Sequence, residues 1–236
     1  MAETIKQRIE KLDWTELSRS LDNRGHALTP PLLTPSECEE LISLYPEDKR
    51  FRSHIVMARY RFGSGNYKYF NHPLPRIVNE LRTTFYSRLA PMANNWNDKL
   101  GIEERFPEQH EDLINACHGR GQLRPTALLL HYETGDYNCL HQDLYGQIAF
   151  PLQLTCFLSH KTDYSGGEFV LVEQQPRAQS KAEVLLPGRG QVLVFTTRHR
   201  PAKGSRGYYR VSVRHGVSRI RSGVRYTLGI PFHDAE

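Results

Sequence analysis

From Leu123 onward the sequence breaks into short β-prone runs separated by Gly, Pro and Asp. This texture constrains the fold more than any other feature. The runs predict strands over Thr126–Tyr132, Asn138–His141, Gln153–Leu158, Gly167–Val172, Val184–Leu186, Gln191–Thr196, Tyr208–Val213 and Arg225–Ile230. Strands this short, bounded by turn residues, build a sandwich or barrel.

The first half of the chain has a helical pattern instead. Ile5, Ile9, Leu12, Leu17 and Leu21 are close to helical spacing and predict one amphipathic helix from Thr4 to about Leu21. Thr34-Pro35-Ser36-Glu37 reads as a capping box with proline at the first helical position, opening a second helix that ends before Pro46. A third runs from about Pro75 to Leu100, with Pro91 expected to kink or break it. The expected fold is mainly β with an N-terminal α layer: a double-stranded β-helix, a jelly roll of the cupin kind, over 123–236, buttressed by a helical portion over 1–122. No linker-like boundary separates the two, so 1–236 is read as one domain; a separate helical domain is the alternative.

No apolar run approaches the roughly 20 residues that span a bilayer, so no membrane partner is expected. The polar start Met1-Ala2-Glu3-Thr4-Ile5-Lys6 does not read as a signal peptide, and a cytoplasmic location is expected. Cys38, Cys117, Cys139 and Cys156 form no C-x-x-C pair, which argues against a zinc cluster or a redox motif. The net charge of +5 hints only weakly at a polyanionic partner, but its distribution says more. Between Thr196 and Arg225 there are nine Lys and Arg residues and no acidic one.

The central motif is His141-Gln142-Asp143. Residues two apart in a strand share a face, so the triplet aims an imidazole and a carboxylate at one point. A histidine from a distant strand would complete a two-histidine, one-carboxylate set that leaves metal positions open and suits non-haem iron(II). Those positions can take a bidentate 2-oxo acid and dioxygen. His215-Gly216-Val217 supplies the histidine, and Arg225 follows ten residues later beyond a turn through Ser222-Gly223. An interior arginine there can grip the distal carboxylate of 2-oxoglutarate as a bidentate pair. His199 with Arg210 competes for these roles, but Pro201 is expected to break any strand there and the neighbouring cations disfavour a metal. His215 is therefore taken as the ligand, which leaves a long stretch after Phe195, expected as an inserted loop beside the site's mouth. His131 is read as a structural histidine, His160 and His233 as surface groups, and Glu133 and Asp136 as turn residues; Cys139 shares the strand face of His141 and could line the pocket, with a packed thiol the favoured role.

Taken in order, Tyr132-x-x-Gly135, His141-x-Asp143, Gly166-Gly167-Glu168, Pro187-Gly188, Phe195, His215-Gly216 and Gly223-x-Arg225 resemble the 2-oxoglutarate/iron(II)-dependent dioxygenase superfamily over roughly Arg124 to Phe232. The resemblance implies metal ligands at His141, Asp143 and His215, a 2-oxoglutarate salt bridge at Arg225 and a hydroxyl donor at Tyr132. It also implies an oxidoreductase that couples decarboxylation of 2-oxoglutarate to C–H hydroxylation, using Fe(II) and O2, with ascorbate as an accompanying reductant. Leu140–Asp143 and Arg225–Leu228 look similar to the AlkB-type demethylases, and the whole chain resembles bacterial oxygenases described as acting on damaged DNA. That points to single-stranded or damaged nucleic acid as partner, with Arg198, Arg200, Lys203 and Arg206 as expected phosphate contacts and Tyr208 and Tyr209 available to stack on bases. The ending Leu228-Gly229-Ile230 lacks the asparagine and second arginine of the AlkB type. The Gly166-Gly167-Glu168 turn and the His215-to-Arg225 spacing resemble the prolyl 4-hydroxylase branch. A prolyl, amino-acid or small-molecule hydroxylase is therefore the alternative, and a non-catalytic ligand-binding jelly roll a third reading.

Overall fold

The computed structural model describes residues 3–236; Met1 and Ala2, part of the expected leaderless start, lie outside the described residues. The helices are α1 (Ile5–Glu10), α2 (Trp14–Arg24), α3 (Pro35–Ser43), α4 (Arg76–Leu100) and α5 (His110–His118). The strands of the first half are β1 (His26–Leu28), β2 (Phe51–Val56), β3 (Gly63–Ser64) and β4 (Asn66–Phe70). Those of the second half are β5 (Leu128–Tyr132), β6 (Tyr137–His141), β7 (Leu152–Phe157), β8 (Tyr164–Gly166), β9 (Phe169–Gln174), β10 (Lys181–Leu185), β11 (Val192–Thr196), β12 (His199–Gly204), β13 (Gly207–Val217), β14 (Ile220–Gly223) and β15 (Arg225–Pro231).

Two antiparallel sheets face each other. The larger has the order β1-β11-β7-β15-β5-β4-β2, the smaller β10-β9-β13-β6-β3 with β12 added along β13, and β14 pairs with β8 in a two-stranded ribbon. This is the expected mainly-β jelly roll with a helical layer. Side-chain alternation explains where the helices go. Leu129, Leu154, Cys156, Leu228 and Ile230 point from the large sheet into a core shared with α1, α3, α4 and α5. The alternate positions Leu128, Leu130, Tyr132, Gln153, Thr155, Arg225 and Thr227 line a cavity between the sheets. Both faces of the large sheet are covered, which is why its strands read as near-continuous apolar runs. Phe157, Phe169, Leu171, Leu193, Phe195 and Val213 close the space between the sheets on one side of the cavity, and Met57, Tyr132, Val217 and Ile220 on the other.

Several expectations need correction. The first helix is two: Asp13 accepts the backbone N–H of Glu16 at 3.0 Å and starts α2 afresh, while the Trp14 indole donates to the Ile9 carbonyl at 3.0 Å across the break. The Thr34 capping box on α3 forms as expected. Helix α4 runs unbroken through Pro91, whose ring sits on the exposed side while Leu89, Ala90, Ala93 and Trp96 stay buried. The 1–122 portion is not only helical, because β1, β2 and β4 belong to the large sheet and β3 to the small one. The expected loop after Phe195 is a β-hairpin, β12–β13. Pro201 sits within β12 without breaking it because β12 is an edge strand, where a missing donor on the outer side costs nothing. His233 is fully buried, not at the surface.

Candidate metal and cosubstrate site

Strands β6 and β13 pair antiparallel with His141 directly opposite His215. The register slips between His215 and Val217. Gly216 makes this close approach possible, since a Cβ there would lie 2.7 Å from the Asn138 carbonyl oxygen. The chain then leaves β6 and carries Asp143 under both rings. His215 Nε2 lies 3.2 Å from Asp143 Oδ2 and His141 Nε2 3.5 Å from Asp143 Oδ1. One ligand atom from each of the three lies within 4.8 Å of the others. His199 is not in this cluster; it is half-buried on β12, and burial pushes its imidazole down to about 4.

Neighbouring groups orient each side chain. His141 Nδ1 donates to the Cys139 carbonyl at 2.8 Å, which leaves the Nε2 lone pair facing Asp143. The His215 ring lies parallel to Phe169 and edge-on to Phe195. Burial and the nearby His141 lower its pKa against the opposing pull of Asp143. Burial acts to raise Asp143, but His215, His141 and the Tyr145 hydroxyl together hold its carboxyl well below the usual range. Tyr145 donates to Asp143 Oδ1 at 2.5 Å and Gln153 Nε2 to Oδ2 at 2.8 Å. Gln142 points the other way, with its amide nitrogen 2.8 Å from the Val213 carbonyl oxygen and 3.1 Å from that of Arg198. It ties the ligand strand to the base of the β12–β13 hairpin.

Arg225 projects into the same cavity of about 320 Å³, a size typical of small-molecule sites. It is 1% exposed, and none of its three guanidinium nitrogens has a hydrogen-bond partner among the described residues. The rings of Tyr132, Phe157 and Tyr164 lie within 5.9 Å of its guanidinium. A buried, unpaired cation costs several kcal/mol, so this position is built for an anion. Tyr132 is fully buried, and burial pushes its hydroxyl up to about 12 despite the opposing charge of Arg225. Asn138 Nδ2 donates to its oxygen at 3.4 Å, leaving the hydroxyl proton free for an acceptor in the cavity.

The donor set fits a divalent iron, with two imidazole nitrogens and one carboxylate. The orphaned guanidinium beside it fits the distal carboxylate of a 2-oxo diacid. The structure brings together all five residues the sequence points to, and adds Tyr145 from the loop after β6 and Gln153 from β7, neither of which carries a motif of its own. Arg200 does not lie where a phosphate could reach it. Arg200 is buried and paired with Glu173 at 2.5 Å, so it is no surface phosphate contact. Cys139 is exposed at the cavity wall rather than packed.

Residues 65–235 match the model of a family described as "Oxygenase, catalysing oxidative methylation of damaged DNA". The chain belongs to this oxygenase family. The chain is also 52% identical over 167 residues to an uncharacterized protein of Mycobacterium tuberculosis strain H37Rv, covering 70% of this chain and 72% of that one. Among solved structures, this oxygenase is similar to a prolyl hydroxylase from Trichoplax adhaerens in complex with a hypoxia inducible factor peptide fragment, with a TM-score of 0.56 and 14% identity over 97% of this chain and 92% of that one. A Pseudomonas putida prolyl-4-hydroxylase gives 0.52 and 12% over 92% and 96%. A 2OG-Fe(II) oxygenase family member from Burkholderia pseudomallei gives 0.54 and 14% over 94% and 91%. These likenesses establish the jelly-roll fold. No described helix is long and apolar enough to cross a membrane.

Proposed function

We propose that this oxygenase uses Fe(II), 2-oxoglutarate and O2 to remove methyl groups oxidatively from damaged nucleic acid, with residues 1–236 acting as one catalytic unit. The observation that carries the reading is the fully buried Arg225 guanidinium, without a hydrogen-bond partner among the described residues, in the cavity that also holds the His141, Asp143 and His215 cluster. His141, Asp143 and His215 hold the iron, and Arg225 with the Tyr132 hydroxyl holds and orients the cosubstrate. With these bound, the centre supplies an oxidant able to hydroxylate an unactivated C–H bond while 2-oxoglutarate becomes succinate and carbon dioxide. Tyr145 and Gln153 hydrogen-bond the two oxygens of the Asp143 carboxylate and fix its direction. The aromatic and aliphatic walls of Tyr67, Tyr69, Leu128 and Leu130 exclude water from the reacting carbon. Hydroxylation of an N-methyl group gives a hemiaminal that releases formaldehyde without a protein base.

The family description supports damaged DNA as the substrate class. Arg198, Lys203 and Arg206 are exposed and remain proposed as peripheral phosphate contacts. Lys203 and Arg206 lie towards the hairpin end, roughly 25 Å along β13 from His215 at strand spacing, where Tyr208 leans on Lys99 of α4. They sit too far out to grip the target nucleotide itself. Incubation with Fe(II), 2-oxoglutarate, ascorbate and N-methylated single-stranded oligonucleotides tests the proposal. Formaldehyde in step with succinate is expected. Succinate formation stimulated by peptides or metabolites, and never by methylated oligonucleotides, would move the enzyme to the hydroxylase alternative.

A further inference from the structure

Between Asp48 and Glu80 the sequence has no acidic residue, but it carries Lys49, Arg50, Arg52, Arg59, Arg61, Lys68 and Arg76, interleaved with aromatics. In its middle, Met57 is fully buried against Tyr132, Val217 and Ile220, and the chain then makes a short turn outward over the mouth of the cavity. Tyr60 and Phe62 follow, 55% and 48% exposed. Their rings stack on each other at 5.5 Å with an interplanar angle of 19°. Phe62 and Arg61 line the cavity, and Tyr60 continues the stack away from it. Arg59 and Arg61 are exposed and enter no ion pair among the described residues.

The turn is held rigidly. The Phe62 carbonyl accepts the Cys139 N–H at 2.8 Å, and β3 pairs with β6, the strand that carries His141. Gly63 (φ +132°) lies so close to β6 that a Cβ would meet the Tyr137 carbonyl oxygen at 2.3 Å. Arg61 itself adopts a left-handed φ of 58°, a conformation that costs a non-glycine residue free energy and clusters at ligand clamps. Two large rings left in water on a rigid, strained, cationic turn beside a metal cavity have the features of a surface that nucleobases cover.

We propose that Tyr60, Arg61 and Phe62 form a stacking platform for single-stranded nucleic acid, holding the nucleotides beside the target while the methylated base occupies the cavity. The platform rests on the nucleic-acid reading of the function. Phe62 stacks against the base nearest the mouth, Tyr60 against the next one outward, and Arg61 pairs with the phosphate between them.

The test is fluorescence anisotropy of the Mn(II)- and 2-oxoglutarate-loaded protein, which binds without turning over, with a labelled methylated single-stranded oligonucleotide, across a salt series. Base–aromatic stacking predicts that Phe62→Leu and Tyr60→Leu each weaken binding by about 5-fold or more with an unchanged salt slope. Phe62→Trp, which keeps a ring, should hold the affinity. Arg61→Gln should lower the salt slope by about 0.7, the value for one phosphate contact on a single strand. A Tyr60→Leu/Phe62→Leu double variant that binds within twofold of the parent would overturn the platform, as would Phe62→Trp losing as much as Phe62→Leu. A parent enzyme that neither binds the oligonucleotide nor releases formaldehyde from it would instead sink the nucleic-acid reading, and the platform with it.

Discussion

Replacing Arg225 with methionine should move cosubstrate affinity and protein stability in opposite directions. The guanidinium is 1% exposed and makes no hydrogen bond among the described residues, so without an anion to pair with it is a source of instability. A side chain of similar length without charge should leave the melting temperature unchanged or raise it. Cosubstrate binding should suffer instead. Removing one partner of a buried, hydrogen-bonded charge pair costs about 2–5 kcal/mol, or roughly 30-fold to several thousand-fold in affinity. A ligand at 100 times its dissociation constant stabilises the native state by about 2.7 kcal/mol, and for a chain of this size each kcal/mol is worth about 2–4 °C. The parent protein should therefore gain roughly 5–10 °C when Mn(II) and 2-oxoglutarate are added together, and Arg225→Met should gain only what the metal alone supplies. Differential scanning fluorimetry reads both quantities in one experiment. If Arg225→Met unfolds at a lower temperature than the parent yet keeps its response to 2-oxoglutarate, the anion-binding argument is wrong.

Four further outcomes are expected. His215→Ala should abolish iron-dependent succinate formation while His199→Ala retains it, as measured by succinate release. Tyr145→Phe and Gln153→Leu should each lower metal affinity about 10- to 100-fold, as expected for groups that orient a ligand, and equilibrium dialysis with iron checks this. Arg200→Ala leaves the Glu173 carboxylate without its partner and should cost about 3 kcal/mol in urea unfolding, whereas Lys203→Ala and Arg206→Ala should cost nothing measurable. Buried His110 and His233 are pushed down from 6.5 to about 4. As pH falls from 6.5 towards 4, the unfolded chain takes up protons that the native state refuses, so stability should fall by up to about 1.4 kcal/mol per pH unit per histidine. A flat stability profile over that range would contradict the burial of these rings.

Much of the β architecture could be read from the chain because its strands are bracketed by turn residues. Asn138–His141 and Arg225–Ile230, for example, differ from β6 and β15 by one residue at an end. His141, Asp143 and His215 were legible for a local reason: period-two spacing puts the first two on one side, and Gly216 marks the close strand crossing opposite them. What stayed hidden depended on tertiary context. Pro201 looked like a strand breaker because an edge position cannot be known before the sheet is assembled. Arg200 looked like one cation in a basic run until Glu173 appeared beside it. The break at Asp13 was a capping signal inside an apparently continuous amphipathic pattern. The strands β2 and β4 were missed although Asn66-Tyr67-Lys68-Tyr69-Phe70 alternates aromatic and polar residues, and with them went the cationic, aromatic turn at the cavity mouth.

The proposed chemistry needs His141, Asp143 and His215 to converge on one iron beside Arg225, which would grip 2-oxoglutarate. Isotopically labelled carbon dioxide released from 2-oxoglutarate, measured together with bound iron for the parent and for His141→Ala, Asp143→Ala and His215→Ala, tests it most directly. Turnover is expected only when Fe(II), 2-oxoglutarate and O2 are all present, with loss of both turnover and bound iron in every variant. Retention of iron and decarboxylation by any one of the three would contradict it.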